Sequence, residues 1–90
     1  VRNRKNDTVS RMAIDGVFIA VGSFPMTGFL KDVVALDEAG SVIIDEQMAT
    51  EVAGIFAAGD VRHGSVRQVI AAAGDGAAAA LSARRYINSL

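Results

Sequence analysis

Two short apolar runs constrain this chain more than any other feature. One is "GVFIAVG" at residues 16–22, and the other is "GIFAAG" at residues 54–59. Both read glycine, β-branched residue, Phe, small residues, glycine, and they differ by one residue in length. A run that is apolar at consecutive positions has no face to offer water, so each is predicted to be a buried strand. Two copies are too few for a repeat array. Strands of this kind need cover, and 90 residues supply little of it. One small domain is the limit at this length, and folding hides only about 60–65% of the surface that the unfolded chain exposes. The core is therefore expected to be modest and to be completed by a partner.

The remaining segments fit an α/β chain. Residues 1–5 and 8–12 flank Asn6-Asp7, a turn-forming pair, which predicts a hairpin. Asp15-Gly16 leads into the first apolar run, Gly22 ends it, and Pro25 holds the chain in an extended or turning path. "FLKDVVALDEAGSVIID" reads as two short strands around a turn at residues 38–40. The last third is helical, starting near residues 65–67. Val66, Val69, Ile70, Ala73, Ala77, Ala80, Leu81 and Ile87 follow the i, i+3, i+4, i+7 spacing of a buried stripe. Arg67, Asp75, Ser82 and Arg85 fall mostly off it. Gly74 and Gly76 oppose a helix at a cost of about 1 kcal/mol each against Ala. Two such costs point to close approach of a flat ligand or another backbone, or to tight helix–sheet packing.

Much chemistry is excluded. The formal net charge of -1 offers no reason to expect nucleic acid or an anionic membrane, and the basic Arg2, Arg4 and Lys5 are followed at once by Asp7. The run at residues 17–21 is far too short to span a bilayer, and no secretory signal is present. No cysteine occurs, which removes disulfides, thiolate metal sites and dithiol chemistry from these residues. Neither a phosphate-cradling P-loop nor a GxGxxG turn after a strand is found, and "AGDGAA" lies inside the predicted helix. His63 is the only histidine and is expected to be exposed in a loop. A relay of Ser65, His63 and Asp60 has poor spacing and no oxyanion loop beside it.

What remains is "GIFAAGDV" followed by a short loop and a helix. In open α/β sheets ligands sit beyond the carboxyl ends of strands, where Asp60 would stand. An ionised carboxylate only accepts hydrogen bonds, so it suits hydroxyls such as those of a sugar or ribityl chain. Free N–H groups at the helix start favour partial negative charge, such as a flavin ring carries at its pyrimidine edge. Capping of the following turn by Asp60 explains the residue equally well.

"GIFAAGDV" together with "RQVIAAAGDGAAAA" at residues 67–80 resembles the C-terminal flavin-binding segment of the thioredoxin-reductase-like pyridine nucleotide-disulfide oxidoreductases. "DGVFIAVGSFPMT" at residues 15–27 is similar to the stretch where that family's NADPH domain returns to its FAD domain, and Thr50 fits the run before the last strand. The resemblance implies a partial FAD/NAD(P)-binding, Rossmann-like domain of short β-strands followed by one long C-terminal helix. It implies residues 1–22 as the end of the NAD(P)H-binding domain and residues 23–90 as the last part of the FAD-binding domain. Asp60 corresponds to the acid that hydrogen-bonds the ribityl chain of FAD. Arg67, Gln68 and Val69 correspond to the tripeptide beside the isoalloxazine ring. Gly74 and Gly76 match small positions packed close to the FAD domain, and Gly22 and Pro25 match the crossover between domains. The rapid end after one helix resembles the smaller, thioredoxin-reductase type rather than relatives with a long interface domain.

Two departures qualify the resemblance. Met26 stands where the family usually has Asn after the crossover proline. The two dinucleotide fingerprints and the redox Cys-x-x-Cys lie outside these residues, and Val1 already sits in a strand-like stretch, so a piece of something longer is expected. The parent would be a cytoplasmic enzyme moving electrons from NADPH through FAD to a disulfide and on to a thioredoxin-like protein. The 90 residues alone are expected to be inactive. The alternative is a non-enzymatic module that binds no cofactor and covers its exposed strand edges by forming a dimer or higher oligomer.

Overall fold

The computed structural model describes residues 1–90. Its one long element is a helix, α1, at Val69–Asn88. Alanine at residues 71–73 and 77–80 supplies the propensity, and Gln68, in an extended conformation, sets the start. At the other end Ser89 closes the helix, its N–H reaching the carbonyls of Arg85 and Tyr86 and its hydroxyl donating to the Tyr86 carbonyl at 2.7 Å. Helical structure therefore begins at residue 69, slightly later than the expected start at residues 65–67.

The expected strands are reduced to four single-residue bridges. The N-terminal hairpin is present: Arg2 pairs with Val9, and the Asn3 N–H donates to the Thr8 carbonyl at 2.8 Å. The turn at residues 38–40 is present as well. Leu36 pairs with Val42, and the Asp37 carboxylate accepts the N–H groups of Ala39 and Ser41. Asp45 does the same for Gln47 and Ala49, which builds a second Asx-headed turn. Residues 28–30 form a short 3-10 turn, Gly28–Leu30, where a strand was expected.

Val42 is the hub of this small body. It bridges antiparallel to Leu36 and parallel to Arg62, exchanging hydrogen bonds of 2.8 Å with Val61 and His63, and is only 2% exposed. Val34 is the other buried aliphatic residue. Thr27 ties the segment after Pro25 to this body through its hydroxyl, which donates to the Gly40 carbonyl.

The run at residues 54–59 passes antiparallel to α1. Phe56 meets Tyr86 edge-on, with ring centroids 6.4 Å apart, and Gly59 lies against Ala72. The surface of α1 turned inward comprises Ala71, Ala72, Asp75, Ala78, Ala79, Ser82, Ala83 and Tyr86. This reverses the expected stripe: Val66, Val69, Ile70, Leu81 and Ile87 are all exposed, as are Ala73, Ala77 and Ala80. The physical reason is distance. A helix laid closely on a glycine-bounded backbone accepts mainly small side chains there, with Tyr86 admitted beside Gly54, so the large aliphatic ones point away.

The first apolar run differs most from expectation. Residues 17–21 form no bridge and are exposed throughout, Phe18 completely. A central strand is held by neighbours on both edges, and this chain provides none for that run. The body consequently stretches over 64 × 27 × 18 Å with a radius of gyration of 19.3 Å, where a compact chain of this length has about 12 Å. Its accessible surface is 7458 Å², against about 5,000 Å² for a compact monomer of the same mass.

Candidate functional site

The site is built around the 3-10 turn Gly59–Val61. Gly59 is buried with φ +80°, a left-handed conformation that a residue with a Cβ adopts at a cost. That kink ends the apolar run and turns Asp60 outward. Asp60 is exposed, and its carboxylate makes no hydrogen bond to any group in the chain. The capping alternative is not realised: Asp60 lies inside the turn, and its side chain accepts no N–H of the residues that follow.

The acid that holds this turn is a different one. Asp75, 8% exposed on α1, accepts the Gly59 N–H at 3.2 Å. It also receives Arg62 in a two-point contact, Nε to Oδ2 at 2.6 Å and Nη2 to Oδ1 at 3.0 Å. The remaining guanidinium nitrogen, Nη1, donates to the His63 carbonyl at 3.0 Å. Paired groups in such a setting stabilise each other's charged form. The Arg62 contact, helped by the Gly59 amide, holds the Asp75 carboxyl below the usual carboxylate range, and Asp75 raises Arg62 in turn. Sequence reasoning left Asp75 as a residue off the apolar stripe. The signal was its phase, because Asp75 shares a helix face with Ala71, Ala78, Ala79 and Ser82.

Arg67 sits beside the helix start with φ +55°. Its N–H donates to the Ser65 hydroxyl at 3.1 Å, and its guanidinium reaches the Ser23 carbonyl at 3.5 Å. Arg67 and Asp60 line one open cleft of about 300 Å³ with Ser23, Phe24, Pro25, Met26 and Val61. The structure thus brings together Asp60, Arg67 and the Pro25 segment, 35 residues before Asp60 (60 − 25). Gln68 and Val69 follow Arg67 directly at the start of α1 but do not line the cleft. The first-turn amides of Val69, Ile70 and Ala71 donate to no group in the chain. Above Gly74 and Gly76 the space is open, with nothing within 4 Å of where a Cβ would stand. Neither tight packing nor close approach at those glycines comes from within these residues.

His63 is exposed, as expected, yet it has a partner. Its Nδ1 lies 2.6 Å from the Asp37 carboxylate, not from Asp60. This contact, with the Ser41 and Ala39 amides, lowers the Asp37 pKa. Ser65 is occupied in accepting the Arg67 N–H, so the Ser65–His63–Asp60 relay is not assembled. A larger cleft of about 350 Å³ lies near the far end of α1, between Thr50, Gly54, Phe56, Ser82 and Tyr86. No helix is long and apolar enough to cross a membrane.

The kinked Gly59 thus leads into an exposed, unpartnered acid that shares one open cleft with Arg67, just before α1 begins. Residues 1–76 match the family described as pyridine nucleotide-disulphide oxidoreductase, and the chain belongs to that family. Within it, the chain is 47% identical over 81 residues to a thioredoxin reductase of Listeria innocua, covering 90% of this chain and 25% of the relative. It is 46% identical over all 90 residues to a thioredoxin reductase of Treponema pallidum, of which it covers 29%. The crystal structure of thioredoxin reductase from Streptococcus pyogenes superposes with a TM-score of 0.78 at 44% identity, over 99% of this chain and 29% of that one. The chain therefore resembles thioredoxin reductases in sequence and backbone path while spanning a quarter to under a third of their length.

Proposed function

We propose that this chain is the part of a thioredoxin-reductase-like flavoprotein that faces the flavin, with Asp60 accepting hydrogen bonds from the ribityl hydroxyls of FAD. The observation that carries this reading is the Asp60 carboxylate itself: exposed, without a partner in the chain, and set in a cleft by a turn anchored at the buried Gly59. A hydroxyl-bearing ligand satisfies an acceptor-only group of this kind. Arg67, Gln68 and Val69 lie beside the ring, contributing chiefly backbone groups, and the open first-turn amides of α1 suit the ring's electron-rich edge. The open surface at Gly74 and Gly76 suits close approach of the remaining FAD domain.

FAD, when bound, supplies the electron transfer from NADPH to a disulfide, and these residues bind and orient it. The dithiol and the dinucleotide loops belong to the rest of the parent, and the final acceptor is a thioredoxin-like protein in the cytoplasm. Residues 1–22 end the NAD(P)H-binding domain, and residues 23–90 belong to the FAD-binding domain. The rest of the parent covers the exposed residues 17–21 and the outward apolar face of α1. A second reading rests on that same exposed surface, in which copies of the chain cover one another as an oligomer and bind no cofactor.

The test is made on the longest natural polypeptide that carries these residues. It is expected to purify yellow, and Asp60→Ala is expected to weaken FAD binding by about 10–150-fold, the loss of one charged hydrogen bond. Protein that gains no flavin absorbance after FAD addition and dialysis, or an unchanged affinity in the variant, overturns the assignment. Light scattering separates the second reading, which requires a colourless oligomer.

A further inference from the structure

We infer that Arg62 and Asp75 form the positioning pair of the flavin site, a clamp that fixes the Gly59–Val61 turn on α1 and so aims Asp60. This rests on the flavin reading above and adds to it two residues that do not touch the ligand cleft.

The argument runs through what holds the turn. Asp60 has no hydrogen bond to restrain its side chain, so its position depends on the backbone that carries it. That backbone is a three-residue turn, too short to be rigid by itself. On its N-terminal side the Gly59 N–H is held by Asp75 Oδ2. On its C-terminal side Arg62 is held by both Asp75 oxygens. One carboxylate on α1 therefore grips both ends of the turn, with Asp60 between them. The same helix starts at Val69, two residues after Arg67, so one element carries both the grip on the turn and the helix start.

The geometry suits positioning more than simple adhesion. Asp75 is flanked by Gly74 and Gly76, and the two-point contact with Arg62 fixes angle as well as distance. Arg62 is also braced by the His63 carbonyl. Lysine, a flexible point charge, keeps the attraction but loses that planar registration. A positioning role therefore predicts a graded effect of Arg62→Lys and Arg62→Leu, whereas charge neutralisation alone predicts none for the lysine.

The experiment uses the longest natural polypeptide carrying these residues and compares Asp75→Ala, Arg62→Lys and Arg62→Leu. Ala80→Gly, on the side of α1 turned away from the Gly59–Val61 turn, serves as the control that lowers helix stability without touching the turn. FAD affinity, the visible circular dichroism of bound flavin, and hydrogen exchange at the Gly59 amide are read at matched urea midpoints. Asp75→Ala and Arg62→Leu are expected to weaken FAD binding at least tenfold and to alter the flavin dichroism, with Arg62→Lys in between. Ala80→Gly is expected to stay within twofold of wild type. Gly59 exchange is expected to rise at least tenfold in Asp75→Ala over the control. Affinity within twofold of wild type in Asp75→Ala, or an equal loss in Ala80→Gly, overturns the positioning role. Wild-type protein that takes up no FAD overturns the flavin reading instead, and Gly59 exchange then decides the clamp: no rise over the control defeats it too.

Discussion

Replacing Gly74 and Gly76 together by Ala separates what α1 needs from what its surroundings need. Both sit inside a helix with open space where a Cβ would stand. Each substitution removes the backbone-entropy cost of a helical glycine, about 0.8–1.0 kcal/mol. The pair should therefore stabilise the 90-residue segment by about 1.6–2 kcal/mol, which for a chain of this size corresponds to a rise in Tm of about 6–16 °C. In the longer parent the sign is expected to reverse. If another backbone or a flat ring lies on that surface, two inserted methyl groups overpack it at a cost of typically about 1–3 kcal/mol. Far-UV circular dichroism during urea unfolding, run on both the segment and the parent, reads the two signs. Gly59→Ala is the internal contrast. Its φ of +80° costs about 1–2 kcal/mol for a residue with a Cβ. The new Cβ would meet Ala72 at an ordinary 3.5 Å, so no clash is added and the variant should be less stable in both settings. Stabilisation by the Gly74/Gly76 pair in both segment and parent would refute the idea that those glycines admit a close neighbour.

Acid should weaken the fold through two carboxylates. Asp75 and Asp37 both have lowered pKa values, the first chiefly through Arg62 and the second chiefly through His63. Their stabilising effect is complete above the unfolded carboxylate value of about 3.9 and disappears as pH falls through the lower folded values. The urea midpoint is expected to be flat from pH 7 to 5 in this respect and to drop below about pH 4, with a smaller acid dependence in Asp75→Asn; an identical pH profile in that variant would remove Asp75 from the account. Core and exposed positions should differ by setting. Val42→Ala deletes two buried methyl groups and should cost about 2 kcal/mol in segment and parent alike. Phe18→Ala should be neutral in the segment, where Phe18 is fully exposed, and cost about 3–5 kcal/mol in the parent. Equal effects in both settings, read by urea unfolding, would contradict the burial of Phe18 by the rest of the parent.

Local features were legible in the sequence where short-range rules decide them. The hairpin around Asn6-Asp7, the turn after Asp37 and a long C-terminal helix follow from turn chemistry and alanine propensity, both of which act over a few residues. The strand-end rule puts Asp60 just beyond the second apolar run, and its carboxylate is exposed there. The orientation of α1 was not legible. Periodicity assumes that the larger residues of an amphipathic helix face the core, whereas this helix meets its own chain mostly through Ala, Asp and Ser, with Tyr86 the one large exception. The clamp escaped for the same reason, since Asp75 lies on the face that the large-residue stripe assigned to water.

These two misreadings have one physical origin. Val69, Ile70, Leu81 and Ile87 on α1, and the exposed run at residues 17–21, are apolar groups that this chain leaves uncovered. The chain exposes about 2,400 Å² more accessible surface than a compact monomer of the same mass. Periodicity marks these residues for burial, and within this chain they are exposed. The inward face made of small residues and the outward face made of large ones then have complementary roles. The first lets α1 lie close enough for Asp75 to hold both the Gly59 amide and Arg62, and the second is the apolar surface that the proposed flavoprotein reading assigns to the rest of the parent.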